Sequence, residues 1–124
     1  MSAHARASGT TATDPQVARV IAKVREQAGL TTQEIAEIVG VGQRQVQNWA
    51  AGQGTPANSQ RLRQLLDLQY VLDLVAEVYD DEGGVMWLHA RNRQLEGRRP
   101  LDLITDGETD RVIDLLDRLA DGNF

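Results

Sequence analysis

Cysteine is absent from the 124-residue sequence, and aromatic residues are scarce. The missing cysteine excludes disulfides and cysteine-based zinc sites. No apolar run approaches the roughly 20 residues that a membrane-spanning helix needs, and residues 1–12 lack the apolar centre of a secretory signal. We therefore expect a soluble, cytoplasmic protein. With only five aromatic residues, the core must consist mainly of aliphatic side chains, which favours packed helices over a β-sandwich.

Charge is unevenly distributed along the sequence, whose net charge is −5. Residues 1–63 carry seven Arg and Lys against four Asp and Glu, a net of +3, whereas residues 64–124 carry six Arg against fourteen Asp and Glu, a net of −8. No carboxylate occurs between Glu37 and Asp67, so a phosphate backbone could approach this segment without like-charge repulsion. The acidic half would be repelled by DNA and suits a basic partner.

The amino-terminal residues predict an arm followed by a helix. Residues 1–13 are small and polar without periodicity, so we expect them to be disordered. Thr13 or Asp14 can cap a helix in which Pro15 lies near the first turn. This helix is predicted to end at Gly29.

Three further helices are predicted before residue 80. Thr31 and Glu34 have the spacing of a capping box, and Gly40 supplies the turn that follows. The next helix is predicted over about residues 43–51. A long helix over about residues 59–79 is so apolar that it must be a central strut, a subunit interface or both.

The remaining sequence predicts short helices separated by turns. The run of residues 80–84, Asp-Asp-Glu-Gly-Gly, is interpreted as a turn before a helix over residues 85–90. A short helix follows Pro100, and the last helix is predicted to begin after Thr105, with Glu108 completing a second capping box. No strand is predicted.

The segment from about Thr31 to Ala51 has the spacing of a helix-turn-helix. Ala36 provides the small residue where two helices cross, Gly40 allows the tight turn, and Val46 and Trp49 form the buried face of the second helix. This segment resembles phage repressors and Cro-like, Xre-type regulators over about residues 16–63.

The resemblance implies a set of DNA-contacting residues. Gln and Asn can pair with adenine and Arg with guanine, while the start of a helix commonly binds phosphate. The implied phosphate contacts are Thr32 and Gln33, and the residues on the exposed face of the second helix are Gln43, Arg44, Gln47 and Asn48. Because this helix has one Arg and no Lys, we expect modest affinity per subunit and a dimer on two half-sites.

The carboxy-terminal part carries a second pattern, which covers about residues 85–124. Its elements are Trp87-Leu88, Asn92, Leu95-x-Gly97-x-x-Pro100, Leu103-Ile104, Asp106-Gly107, Val112, Leu115-Leu116 and Asp121-Gly122-Asn123-Phe124. This segment resembles the toxin-binding domain of the Xre/MbcA/ParS antitoxins, in particular the MbcA-like group. In that family the domain follows an Xre-like helix-turn-helix and a long connecting helix, in the same order as here.

The second resemblance implies a function and a site. Such antitoxins bind and inhibit a RES-domain toxin that consumes NAD, tend to form homodimers, and repress their own operon. The implied toxin-binding residues are Trp87, Asn92, Arg99, Pro100, Gly122, Asn123 and Phe124. A purely structural interpretation stays open for several of them: Trp87 as core, Arg98-Arg99-Pro100 as the start of a helix, and Phe124 folded back on the last helix.

The complete prediction is an all-α chain with three parts. Residues 1–13 form an arm, residues 14–63 an Xre-like helix-turn-helix bundle, and residues 64–124 the connecting helix with a small helical toxin-binding and dimerisation domain. No cofactor, metal site or enzymatic activity is expected, because the two His are isolated and no serine has a catalytic partner at a recognisable offset. Two alternatives stay open: a stand-alone phage or host repressor with a carboxy-terminal dimerisation domain, and a protein-binding module without DNA affinity.

Overall fold

The computed structural model describes residues 15–54 and 59–122, and all seven α-helices assigned there are consistent with the predicted all-α class. No strand occurs within these two ranges; a single 3-10 turn, Arg93–Leu95, joins α5 to α6. The helices are α1 Pro15–Ala28, α2 Thr32–Val39, α3 Gln43–Ala50, α4 Ser59–Val78, α5 Asp81–His89, α6 Pro100–Thr105 and α7 Thr109–Ala120. The predicted arm, the caps Thr13 and Asp14, and residues 123–124 lie outside the described residues.

The start of α2 is the capping box that the sequence predicts. The backbone N–H of Glu34 donates to the Thr31 hydroxyl at 3.1 Å, and the backbone N–H of Thr31 donates to the Glu34 carboxylate at 2.9 Å. These two hydrogen bonds satisfy N–H groups that a helix start leaves without partners. Gly40 ends α2 with a left-handed φ of 84°, as the predicted turn requires.

The prediction of a turn over residues 80–84 is wrong. Asp80 is the N-cap of α5, its carboxylate accepting the backbone N–H of Gly83 at 2.8 Å. Asp81 and Glu82 occupy the first helical turn, where their charge is favourable to the helix dipole. Gly84 is needed there for space, since a Cβ at this position would lie 2.8 Å from Cγ1 of Val75 on α4.

The second predicted capping box, from Thr105 to Glu108, is also wrong. Thr105 is the last residue of α6, and its hydroxyl donates backward to the carbonyl of Leu101 at 2.8 Å. Glu108 is itself the N-cap residue of α7 without a side-chain cap, because arginines bind its carboxylate. A contact of the capping-box type, from a backbone N–H to the carboxylate three residues later, occurs instead at the start of α6. There the backbone N–H of Arg99 donates to the Asp102 carboxylate at 3.2 Å.

A single hydrophobic core joins both parts of the molecule, and α4 runs through it. The core extends from Val17 on α1 to Leu116 on α7, and α4 packs against α1, α2, α5 and α7. The predicted central strut is therefore present. Three large apolar side chains of α4 stay exposed at Leu62, Leu66 and Tyr70. None of the described helices combines the length and apolar character that crossing a membrane requires.

Gln64 on α4 connects the helix-turn-helix to the carboxy-terminal helices. Its amide nitrogen donates to the carbonyl of Ile38 at 3.1 Å and to that of Ile104 at 2.8 Å. Both carbonyls lie in the last turns of their helices, where carbonyl groups lack helical partners. One side chain thus satisfies the ends of α2 and α6 together.

Replacing Gln64 with leucine should lower the free energy of unfolding by about 1–3 kcal/mol, since the Ile38 carbonyl loses its side-chain donor, while the Ile104 carbonyl keeps only the backbone N–H of Gly107. Urea unfolding measures this loss. Gln60→Leu is the matched control: Gln60 is exposed one turn earlier on α4 and makes no hydrogen bond to a described residue. Equal free energies of unfolding for the two variants would contradict the role of Gln64 in joining the ends of α2 and α6.

Candidate functional site

The exposed face of α3 collects the predicted DNA-contacting side chains. Val46 and Trp49 are buried at 0% and 2% exposure, which turns the opposite face of the helix outward. That outward face carries Gln43, Arg44, Gln47 and Asn48, all exposed. It presents amide and guanidinium groups suited to base edges in a major groove.

The starts of α2 and α3 lie side by side. The Gln43 amide nitrogen donates to the Thr32 hydroxyl at 3.0 Å, and Gln33 is exposed next to Thr32. The structure therefore brings the predicted phosphate contacts next to the helix that carries the predicted base contacts. Two helix amino termini at one surface also favour a bound phosphate through their free N–H groups.

Arg44 is the cation of this surface. It forms no ion pair or hydrogen bond with any described residue, and α3 itself contains no carboxylate. Its guanidinium group is therefore available to a guanine edge or a phosphate without first breaking an internal contact.

Arg61, by contrast, belongs to the scaffold that holds the turn between α2 and α3. Its Nη1 donates to the carbonyl of Val39 at 3.1 Å. Glycine is required at position 40 for its left-handed φ of 84°, and a Cβ there would lie 2.3 Å from the same nitrogen, so the end of the Arg61 side chain would have to move. In the sequence, Arg61 is visible only as a cation between Glu37 and Asp67, because nothing in the spacing connects it to Val39.

The loop before α6 is organised by Asn92, a predicted toxin-binding residue. Its side-chain oxygen accepts the backbone N–H of Gln94 at 2.9 Å, and its backbone N–H donates to the carbonyl of Arg98 at 3.0 Å. The loop then closes through Glu96 and Gly97, both with positive φ. Asn92 therefore shapes the loop through its own hydrogen bonds.

A network of ion pairs ties this loop to the turn between α6 and α7. Arg98 binds Asp106 and Glu108, and Arg111 binds Glu108 and Glu96. Hydrogen bonds from Arg98 and then Arg111 lower the pKa of the Glu108 carboxyl below its ordinary value. These carboxylates hold the exposed loop against the helices at neutral pH.

The remaining predicted toxin-binding residues differ in exposure. Trp87 is half-buried and stacks on Tyr79 with ring centroids 5.9 Å apart. The Arg99 guanidinium binds the Asp102 carboxylate at 2.7 Å and holds the pKa of that carboxyl below its ordinary range. Pro100 is buried at the first position of α6.

Of the predicted tail, only Gly122 lies among the described residues. It is exposed with a φ of 79°, and it ends the turn after α7. Asn123 and Phe124 lie outside the described residues, so their predicted toxin contacts stay predictions.

The exposed side of α7 is acidic. Asp110, Asp114, Asp117 and Asp121 are all exposed and recur at intervals of four, three and four residues, which places them along one side of the helix. No ion pair involves them within the part of the chain that the structure describes. This side suits a basic surface and is unsuited to DNA.

Comparison with known proteins identifies the family. Residues 21–68 match the helix-turn-helix family, and residues 74–122 match the antitoxin Xre/MbcA/ParS C-terminal toxin-binding domain. Over 108 residues the chain is 40% identical to the mycobacterial cidal antitoxin MbcA of Mycobacterium bovis and Mycobacterium tuberculosis, covering 87% of this chain and 95% of the relative. The chain belongs to the MbcA family of antitoxins.

Two further comparisons support membership in the MbcA family. A probable mycobacterial cidal antitoxin of M. tuberculosis is 33% identical over 96 residues, covering 77% of this chain and 81% of the relative. The crystal structure of the M. tuberculosis MbcT–MbcA toxin–antitoxin complex contains a chain that matches with a TM-score of 0.75 and 39% identity, covering 87% of this chain and 96% of that one. The predicted family, the all-α fold and the helix-turn-helix are confirmed.

Proposed function

We propose that this antitoxin neutralises a RES-domain toxin that consumes NAD, and that it represses its own operon as a homodimer on operator DNA. The proposal rests on one observation: a surface suited to DNA and a surface suited to a protein partner are built on the same hydrophobic core. The α3 face presents amide and guanidinium groups, and the toxin-binding domain presents an ordered loop and an acidic helix. The chain binds and has no catalytic role, and the NAD chemistry belongs to the toxin.

The DNA-binding part of the proposal is supported by the residues on and near α3. Gln43, Arg44, Gln47 and Asn48 would contact bases, while Thr32 and Gln33 would contact phosphates. The chain is acidic overall, so charge alone does not draw it to DNA. The affinity for DNA must therefore come from the surface around α3, which a dimer would present twice.

The toxin-binding part is supported by the loop around Asn92 and by the acidic side of α7. Arg99, half-exposed beside this loop and paired with Asp102, would offer a cation to the partner, and Trp87 would offer an aromatic edge. Pro100 is buried, so it would act by setting the conformation of the loop and not through a direct contact. Asn123 and Phe124 would add an anchor beyond Gly122.

Co-expression with the adjacent reading frame tests the proposal. A stable complex, with cellular NAD depleted only when this antitoxin is absent, is the expected result. A gel shift with the upstream operon DNA tests repression, and the binding should weaken with increasing salt as counterions are released. No complex and unchanged NAD would overturn the toxin assignment, and absent DNA binding would leave a protein-binding module only.

Deleting Gly122–Phe124 should weaken toxin binding while operator binding stays unchanged. If Phe124 is an anchor in a pocket of the toxin, the loss corresponds to about 2 kcal/mol or more, which is roughly 30-fold in Kd. Calorimetry with the purified toxin measures it, and Phe124→Ala tests the anchor alone. Full neutralisation by the truncated chain would show that the tail makes no contribution.

A further inference from the structure

The loop between α5 and α6 carries positive charge in an otherwise acidic part of the chain. Residues 64–124 have a net charge of −8, yet residues 90–99 contain four Arg and one Glu, a net of +3. Two of these arginines are neutralised, because Arg98 binds Asp106 and Glu108 and Arg99 binds Asp102. The other two, Arg91 and Arg93, are called the arginine pair below.

The guanidinium groups of the arginine pair have no carboxylate partner among the described residues. Arg93 is exposed, and its side chain makes no hydrogen bond to a described residue. Arg91 is also exposed, and its Nη1 makes one long hydrogen bond, to the carbonyl of Gly97 at 3.4 Å. Both arginines therefore keep most of their five N–H donors for a binding partner.

The backbone at Asn92 places the arginine pair on one side of the loop. Asn92 is extended, with a φ of −124° and a ψ of 123°. The residues before and after an extended residue point to the same side of the chain, about 6.5 Å apart along the backbone. Two cations so close together can bind a single acidic group or two neighbouring ones.

The loop that carries the arginine pair is held by its own contacts. The backbone N–H of Asn92 donates to the carbonyl of Arg98 at 3.0 Å, and the N–H of Gly97 donates to the carbonyl of Asn92 at 2.9 Å. Leu95 is 2% exposed and fixes the loop to the core. Two like charges on a rigid loop repel each other, which does nothing for folding but favours the capture of an anion.

We propose that the arginine pair binds carboxylates of the toxin, as a second docking point beside the acidic side of α7. This inference rests on the toxin binding of the proposed function and specifies that the toxin surface facing the loop is acidic. The two docking points adjoin, because Arg111 on α7 binds Glu96 in the loop, and Asp110 of the acidic side precedes Arg111 directly.

A protein surface fits this position better than nucleic acid does. A phosphate backbone that reached the arginine pair would also approach the acidic side of α7, which would repel it. A folded partner can present acidic groups to the loop and basic groups to α7, and this opposite polarity would fix its orientation. Guanidinium groups bind carboxylates through two parallel hydrogen bonds, so arginine also adds geometric specificity.

Calorimetry and stopped-flow kinetics with the full-length chain and the purified toxin of the adjacent reading frame test the inference. Arg91→Ala and Arg93→Ala should each raise Kd by roughly ten-fold, because a charged hydrogen bond to the toxin is lost. Arg93→Glu should raise Kd further and slow association, and its difference from wild type should shrink as salt increases. Arg25→Glu is the control: Arg25 is exposed on α1, outside the toxin-binding domain, and the change in net charge is equal.

Thermal melting separates a binding role from a structural one. Removing either member of the arginine pair relieves a repulsion and breaks no ion pair of the described structure, so the melting temperature should stay unchanged or rise slightly. Arg93→Lys should keep the association rate, which depends on charge. It should raise the dissociation rate, because the parallel hydrogen bonds are lost.

Three results would overturn the inference while the toxin complex itself persists. The first is a Kd in the arginine variants equal to that of Arg25→Glu. The second is a melting temperature that falls together with the affinity, which would make the arginine pair structural. The third is a loss of operator binding in place of toxin binding, which would identify phosphate as the ligand. If the wild-type chain forms no complex, the proposed function fails and this inference fails with it.

Discussion

Replacing Trp49 with alanine is expected to lower the free energy of unfolding by about 3–5 kcal/mol, the usual loss for removing a large aromatic side chain from a core. Trp49 is 2% exposed on α3 and belongs to the hydrophobic core with residues of α1 and α2. The surrounding helices cannot close a cavity of this size without moving the helix-turn-helix. Thermal and urea unfolding measure the loss, and operator binding should fall with it.

Trp87→Ala is the matched control for this prediction. The same side chain is removed, but Trp87 is half-buried and stacks on Tyr79 at the edge of the core. The free energy of unfolding should fall clearly less for Trp87→Ala than for Trp49→Ala, because solvent fills the space that the indole leaves. A Trp49→Ala protein as stable as wild type would refute the burial on which the helix-turn-helix assignment depends.

Replacing Arg44 with alanine should abolish operator binding while the fold remains intact. One bidentate arginine–guanine contact contributes about 1–3 kcal/mol. A dimer on two half-sites loses two of them, so the expected loss is roughly 30-fold or more. Arg44 makes no contact that stabilises the described structure, so the melting temperature should not change. A gel shift and a thermal melt measure the two effects.

Arg118→Ala controls for the change in net charge. Arg118 is exposed on α7, far along the chain from the helix-turn-helix, and its removal changes the net charge equally. Operator affinity should then fall only slightly. If Arg44→Ala binds the operator as tightly as Arg118→Ala does, α3 does not contact DNA through this residue.

The helix-turn-helix was predictable because its determinants are local. Thr31 and Glu34 are three residues apart, and the hydrogen bonds that start α2 form between these two residues alone. Gly40 ends α2 through its own backbone conformation. The buried pair Val46 and Trp49 follows from helical periodicity. The predicted DNA-contacting residues of α3 are then found among the positions that the buried pair leaves exposed.

The start of α5 and the start of α7 were mispredicted for two different reasons. Asp80 caps α5 within its own segment, but the two glycines that follow are typical of a turn, and the need for the second of them, Gly84, is explained only by how close it lies to Val75. At Thr105 the spacing to Glu108 was correct for a capping box. Arg98 and Arg111 bind the Glu108 carboxylate, and the Thr105 hydroxyl bonds within α6 instead.

By itself, the sequence determined the all-α class, the helix-turn-helix and the family. Periodicity, caps and motif spacing depend on residues that are close together in the chain, so they can be recognised in the sequence alone. Only the tertiary structure decided what α4 does. Gln64 joins the carbonyls of Ile38 and Ile104, which lie 26 and 40 residues away. Leu66 is left outside a core that buries its neighbours Leu65 and Leu68. Hydrogen bonds and burial of this kind depend on which helices pack together, and no local pattern specifies that.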